Sequence, residues 1–304
     1  MKKKKLLLLV PLLLLSSCNT RGQEEIITSS FIAYDLVHEI AKDKISHRNL
    51  VPWGSELHDY EPNAQDVVAV NNAKLFIYTT PFLETWVKNL VNNENAFALS
   101  EAFTALPFNP PVSPKRTHAH DHEGSGHFWT DPTTYLQLIN AVRDEIKQID
   151  ADNAVFYDEN ADFYYNEIAS LHQSFNTYLT TIERQPIYFA GHNALDAFAA
   201  RYELEIISLA DSYSPSGDLT PQQLIKLIEE IYGTKTKYIY IEELAEPRVA
   251  RQIKTELKNK YNYDIELLEL HAYHNIAKNE AEKGVNYAQI FAQNISNLKL
   301  GLSD

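Results

Sequence analysis

Eleven histidines stand in the 304 residues, and several sit at expected strand ends and helix starts. His58 lies in Trp53-Gly54-Ser55-Glu56-Leu57-His58-Asp59-Tyr60-Glu61-Pro62, beyond an expected strand. His127 opens His127-Phe128-Trp129-Thr130-Asp131-Pro132, ahead of an expected helix. His192 follows the apolar run Ile187–Ala190, and His271 follows Ile265–Leu270 with His274 three residues on. These are strand ends and helix starts, where open α/β sheets place their ligand sites. Neutral imidazoles from separate elements can converge on one borderline-soft cation, and Zn²⁺ favours nitrogen donors and four-coordination. One histidine in such a place is an ordinary surface or hydrogen-bonded residue. Four such places in one chain argue for a shared ion.

Other chemistries lack their signatures. The chain has no GxxxxGK[ST], no GxGxxG after a strand, no GxSxG and no HExxH; His38-Glu39 begins the last motif, but Lys42 fills its fifth position. A single cysteine excludes a disulfide framework or a cysteine-built zinc knuckle. The formal charge of −14 argues against an exposed nucleic-acid face, which needs clustered cations.

The elements that must position the histidines follow from the pattern around them. Ile26–Thr28 reads as a strand, Phe31–Ala41 as a helix, His47–Pro52 as extended chain and Ala64–Asn72 as a helix. Leu75–Tyr78 reads as a buried strand and Leu83–Asn92 as a helix. Residues 104–126 hold four prolines and most of a histidine-rich run, and read as a loop. Thr133–Ile149 repeats apolar residues at helical spacing. The stretch from Ala151 to about Arg184 has no Gly or Pro, which predicts a helix long enough to run along or join whole domains. Alternation then resumes, with strands at Ile187–Ala190, Glu205–Leu209, Tyr238–Ile241 and Ile265–Leu270. Helices are expected at Leu195–Tyr202, Pro221–Tyr232, Pro247–Tyr261 and Tyr287–Leu298. Strand–helix alternation of this kind builds parallel sheets. The expected fold is α/β, with two (β/α) lobes on parallel sheets joined by one long rigid helix. The expected division is residues 26–150 for the first lobe, 151–184 for the helix and 185–304 for the second.

The first residues set the expected compartment. Lys2–Lys5, the apolar run Leu6–Leu15 and the small-residue end Leu15-Ser16-Ser17-Cys18 resemble a bacterial lipoprotein signal. The apolar run is shorter than the ~20 residues a membrane-spanning helix takes. The expectation is removal of residues 1–17, acylation of Cys18, a tether over 18–25 and an extracytoplasmic lipoprotein anchored in a membrane. Removing the four signal lysines from the 27 basic residues leaves 23 against 41 acids, so the mature charge would be −18.

At the histidine segments the chain resembles the zinc/manganese-type solute-binding proteins (cluster A-I) of bacterial ABC metal importers. The segments are "PWGSELHDYEPNAQDV" (52–67), "HFWTDP" (127–132), "YFAGHNALDAFAARYELEI" (188–206) and "YIYIEEL" (238–244). The resemblance implies a metal site in the cleft between the lobes and carries the family's three histidine ligands onto His58, His127 and His192. It implies an ABC permease as partner, and capture of the ion rather than catalysis. The fourth position departs from the family, where a carboxylate is common: "LLELHAYHNIA" (267–277) puts His274 in that register, with His271 as the alternative. Four imidazoles would favour Zn²⁺ over Mn²⁺, which carboxylate oxygen serves better.

The loop "HAHDHEGSGH" (118–127) resembles the histidine-rich loop of zinc-specific members. Its His118, His120 and His122 are candidates for an auxiliary metal position or for no role. Glu61 and Asp131 are candidate acceptors orienting the ligand rings, with helix capping the competing role for Asp131. Glu242 is a candidate to line the cleft. Manganese uptake or adhesion on the same scaffold, and a three-histidine zinc hydrolase with an open fourth position, are the competing functions. The chain is expected to be a monomer.

Overall fold

The computed structural model describes residues 25–90, 95–103, 126–192, 194–208 and 220–303. Cys18, His118, His120 and His122 lie outside them. The first part comprises β1 (Ile26–Thr28), α1 (Phe31–Ala41), β2 (His47–Asn49), α2 (Ala64–Asn72), β3 (Leu75–Tyr78), α3 (Val87–Leu90), β4 (Ala96–Ala98) and α4 (Pro132–Ile149). The long helix α5 (Ala154–Leu179) follows. The second part comprises β5 (Ile187–Ala190), α6 (Asp196–Tyr202), β6 (Ile206–Ser208), α7 (Pro221–Thr234), β7 (Tyr238–Ile241), α8 (Arg248–Tyr261), β8 (Glu266–Glu269), α9 (Lys278–Ala281) and α10 (Tyr287–Leu302).

Two four-stranded sheets result, ordered β2-β1-β3-β4 and β6-β5-β7-β8, with every pairing parallel. Their middle strands are the apolar runs Leu-Phe-Ile-Tyr, Ile-Tyr-Phe-Ala and Tyr-Ile-Tyr-Ile, as expected of strands covered on both faces. In each sheet the connections reverse direction between two central strands, β1 and β3 in one and β5 and β7 in the other. Such switch points open a crevice at the carboxyl ends of the strands.

The helices begin where the sequence supplies caps. Ser30 caps α1 through the Ala33 N–H, and Asp131 caps α4 through the Thr133 N–H with Pro132 in the first turn. Asn63 with Asp66, Thr220 with Gln223 and Asn286 with Gln289 form reciprocal capping boxes on α2, α7 and α10. Helix α5 has 26 residues and spans about 39 Å. It buries Tyr157, Ala161, Tyr164, Ile168, Phe175 and Leu179 along one stripe. That stripe belongs to a core running from Ile26 and Ile77 of the first sheet to Phe189 and Leu270 beside the second, so the lobes and the helix share one apolar interior. No described helix is long and apolar enough to cross a membrane.

The strand β4 and the short helix α9 carry no pattern that predicted them, and the helix expected over 83–92 forms as α3 only from Val87. The chain before α3 is instead a turn held by the buried Glu84, whose carboxylate accepts from the Thr79 and Thr80 N–H groups, both at 2.8 Å, and from the Ser29 hydroxyl.

Candidate metal centre

Four histidine rings meet between the two sheets. His58 comes from the loop after β2, His127 from the residue before the turn that leads into α4, His192 from the end of β5 and His274 from the loop after β8. The six ring-centroid separations are 5.6 Å (His58–His127), 5.5 Å (His58–His192), 5.4 Å (His58–His274), 5.2 Å (His127–His192), 4.9 Å (His127–His274) and 4.8 Å (His192–His274). Four points with six nearly equal separations are the corners of a tetrahedron. One nitrogen from each ring lies within 4.8 Å of the others, a set that can hold an ion. His127, His192 and His274 are buried, and His58 is partly exposed.

The ring nitrogens are oriented by two neighbouring acids at the end of β7. Glu242 Oε1 lies 2.6 Å from His192 Nδ1, and its Oε2 accepts from the His192 backbone N–H at 3.3 Å. Glu243 Oε1 pairs with His274 Nδ1 at 2.9 Å and with the His274 N–H at 3.1 Å, while its Oε2 accepts from the Ala272 N–H at 2.8 Å. A carboxylate can only accept, so at His274 the proton sits on Nδ1 and Nε2 keeps its lone pair, while Glu242 sets its charge beside His192 Nδ1. His192 Nε2 lies 3.5 Å from His127 Nε2, and the buried Nε2 atoms of His58 and His274 have no hydrogen-bond partner. Buried polar atoms are rarely left so. Inward-facing lone pairs without donors between them are what a bound cation needs.

Backbone geometry brings the two acids close. A side chain on Gly191 would have its Cβ 2.8 Å from Glu242 Oε2 and 2.5 Å from the Phe189 ring, so only glycine fits beside this carboxylate. Leu244, directly after the acids, and Tyr273, directly before His274, both adopt left-handed backbone, at φ 58° and 65°. That conformation is uncommon for such residues and turns the chain sharply at the site.

Burial and neighbouring charges act in opposite directions on the rings. Burial, followed by the charges of His274 and His192, pushes His58 down to about 3. Burial and the other three rings push His127 well below the usual imidazole range. Burial also acts downward on His274, but the hydrogen bond and charge of Glu243, with Glu242 and Glu56 behind it, outweigh that and leave it raised. Burial raises Glu243 while His271 and His274 lower it further, so the carboxylate is held ionised.

The remaining candidates fall outside the four-ring group. His271 is buried next to it, but its Nδ1 accepts the Tyr273 N–H at 2.8 Å and faces Glu243 at 3.5 Å. Glu61 is exposed; the acid that approaches His58 is Glu56, which accepts its N–H at 3.1 Å. Asp131 caps α4 and holds Arg201 of α6 in a two-pronged ion pair, at 2.8 and 2.7 Å, rather than orienting a ring. Sequence reading singled out neither Glu243 nor Arg201. The doubled acid in "YIYIEEL" was the available signal for Glu243; nothing local marked Arg201. His38 and His47 pair with each other at 3.1 Å, and His172 with Tyr202 at 2.9 Å, both away from the site.

Known proteins share this plan. The "Zinc-binding lipoprotein AdcA" of Streptococcus pneumoniae is 26% identical over 286 residues, covering 91% of this chain and 56% of that protein, so the chain spans about half the length of that relative. The "High-affinity zinc uptake system protein ZnuA" of Bacillus subtilis is 26% identical over 296 residues, covering 93% of this chain and 89% of that protein. The solved Zn(II)-bound ZnuA-like domain of the pneumococcal AdcA superposes with a TM-score of 0.74 at 22% identity, covering 93% of this chain and 100% of that domain. The model of the family described as "Zinc-uptake complex component A periplasmic" matches residues 26–301, from the first strand of the first sheet into the last helix. The two-sheet plan, the connecting helix and this end-to-end match agree: the chain belongs to the ZnuA family of periplasmic zinc-uptake components.

Proposed function

We propose that this protein captures Zn²⁺ outside the cytoplasm and delivers it to an ABC permease, with His58, His127, His192 and His274 as the four ligands. The observation that carries the reading is the near-tetrahedral set of four rings. Nitrogens placed about 2.0–2.1 Å from a tetrahedral zinc lie about 3.3–3.4 Å apart. The His127–His192 Nε2 separation of 3.5 Å is close to that edge. Nitrogen-only donors suit zinc, while manganese is better served by carboxylate oxygen. The zinc-binding relatives support the same choice of ion.

Function here is capture. The four rings are held together before the ion arrives, so little ordering remains to oppose binding, and the Glu242 and Glu243 carboxylates lie against Nδ1 of His192 and His274. A hydrolase would keep a coordination position open for water and a free general base beside it. The fourth imidazole fills that position, and both acids are engaged by histidines. Anchoring through an acylated Cys18 fits the lipoprotein relative and belongs to the same reading.

Isothermal titration of the protein, stripped of metal, against Zn²⁺ and Mn²⁺ tests the proposal. One zinc per chain, bound at least about a hundredfold more tightly than manganese and lost in His274→Ala, is expected. A preference for manganese, or zinc binding unchanged in His274→Ala, would overturn the four-histidine assignment. Hydrolytic turnover by the zinc form would overturn capture as the function.

A further inference from the structure

Two of the four rings are tied together by a contact that involves neither ring. The loop that delivers His58 makes a turn at Pro52–Ser55, closed by the Ser55 N–H donating to Pro52 O at 3.1 Å, with Gly54 at φ 82°. Asn275, the residue after His274, inserts into that turn. Its Nδ2 donates to Pro52 O at 2.8 Å and to Ser55 O at 2.7 Å. The Gly54 N–H donates back across the gap to Ile276 O at 2.8 Å. The turn belongs to the first sheet's connections and Asn275–Ile276 to the second's, so three hydrogen bonds cross between the lobes beside the metal centre.

The side chain of Asn275 divides its work cleanly. Its Oδ1 accepts the Ile276 N–H at 2.9 Å, a local bond within its own turn, while both hydrogens of its amide serve the other lobe. Asn275 is 1% exposed, so these bonds do not compete with bulk water. His58, three residues beyond Ser55, is the ring of the four with solvent access. The other three rings are buried. An ion leaving toward solvent therefore passes the His58 loop, which cannot swing away while Asn275 holds the turn.

We infer that Asn275 is a latch: a positioning residue that yokes the His58 loop to the His274 loop and sets how fast the captured ion is released. The inference rests on the four-histidine reading. Ion capture needs only that the loops meet, but retention needs them to stay together. Opening costs the two amide bonds and the Gly54 bond at once, because all three hold the same turn. A partner that displaces Asn275 from the turn would free the His58 side of the site without touching a ligand.

The test is stopped-flow release of Zn²⁺ to an excess of a chromogenic chelator, for the wild type, Asn275→Asp and Asn275→Ala. Asn275→Asp keeps the oxygen that accepts the Ile276 N–H but replaces the cross-lobe donors with an acceptor facing two carbonyls. Both variants lose the two cross-lobe donors, so about tenfold or faster release is expected from each. Zinc capture on mixing should change by less than about threefold, and melting of the metal-free protein should still be cooperative. Release from Asn275→Asp at the wild-type rate, with only Asn275→Ala faster, would overturn the latch and leave a local turn role. Equal loss of capture and retention in both variants would overturn it as well, by showing a general distortion of the site. If the wild type itself binds no zinc, the four-histidine reading fails, and the latch with it. If it binds and both variants release normally, the latch alone fails.

Discussion

At the scale of single residues, the site depends on which imidazole nitrogen carries the proton, and two acids bear on that. Glu243 decides it for His274 with a 2.9 Å contact, and Glu242 places its charge 2.6 Å from His192 Nδ1. Removing an acceptor of this kind usually costs about 10–100-fold in metal affinity. Glu243→Gln should weaken zinc binding by that factor at pH 8, read by chelator competition. The pH dependence gives a second readout. His58 and His127 are pushed down and stay neutral over the working range, whereas Glu243 and Glu242 hold His274 raised. Protonated imidazole cannot coordinate, so wild-type affinity should fall with pH as His274 takes a proton, which it does at higher pH than an ordinary imidazole. Without Glu243, only the charges of Glu242 and Glu56 oppose burial at His274, and its proton affinity falls. The fall should then begin at lower pH even though the plateau is weaker. A wild-type affinity that is flat from pH 5 to 8, or a Glu243→Gln curve that is only displaced downward, would contradict this assignment of roles. His58, His127 and His192 were legible as strand-end histidines, and His274 as a departure in a familiar register. Glu243 was hidden because its partner stands 31 residues away and only the packing of two loops brings them together.

At the scale of elements, what was legible depended on length and pattern. The 26 residues of α5 contain no helix breaker and carry a regular apolar stripe, and the capped helices α2, α4, α7 and α10 announce their first turns. The strand β4 is three residues, Ala-Phe-Ala, too short to alternate, and it exists because β3 offers it a free edge in register with Phe76–Tyr78. Asp131 shows how one residue serves two elements. It was readable as a cap because Asp-Pro opens a helical pattern. Its grip on Arg201, 70 positions along, was not. The pair is partly shielded, with side chains 10% and 20% exposed, and its two-pronged form is the stronger kind of ion pair. Asp131→Ala removes the cap of α4 and leaves Arg201 without its acid, and should cost about 2–4 kcal/mol in chemical denaturation. Asp131→Ser keeps a capping oxygen and should recover the smaller share, about 1 kcal/mol. Equal loss in both variants would mean that the cap contributes nothing and the ion pair everything.

At the scale of the whole molecule, the two lobes are joined by a buried acid as well as by α5. Asp35 of α1 accepts from the Tyr135 hydroxyl of α4 at 2.5 Å, the Tyr164 hydroxyl of α5 at 2.6 Å and the Tyr287 N–H that opens α10 at 3.1 Å. Tyr287 stacks on Tyr135 at 3.7 Å and on Tyr273 at 4.3 Å, and its hydroxyl donates to Trp129 O at 3.0 Å. Trp129 in turn donates to Ala272 O at 2.9 Å, two residues from His274. One carboxyl thus sits where the first lobe, the long helix and the last helix converge, at the far end of an aromatic stack that reaches the candidate metal centre. Burial is the main reason its pKa is pushed up to about 7, with the charge of Glu39 adding to it and the three hydrogen bonds opposing. The unfolded chain releases that proton near 3.8. Between those values the folded protein holds one proton more than the unfolded one, so this group's contribution falls as pH rises and is greatest below about 4. Raising the pH from 5 to 8 crosses about two units of that window, which corresponds to about 2–3 kcal/mol lost from Asp35. Buried Glu84, raised to about 7 by the same cause, acts in the same direction, and the lowered histidines act in the opposite one. The difference between wild type and Asp35→Asn therefore isolates the group. Asparagine cannot ionise, so the gap in unfolding free energy of the metal-free proteins should shift by that amount in favour of the variant between pH 5 and 8. Two denaturation curves that keep the same separation across the range would show that Asp35 is ionised throughout, and that the tyrosine cluster stabilises a charge rather than a proton.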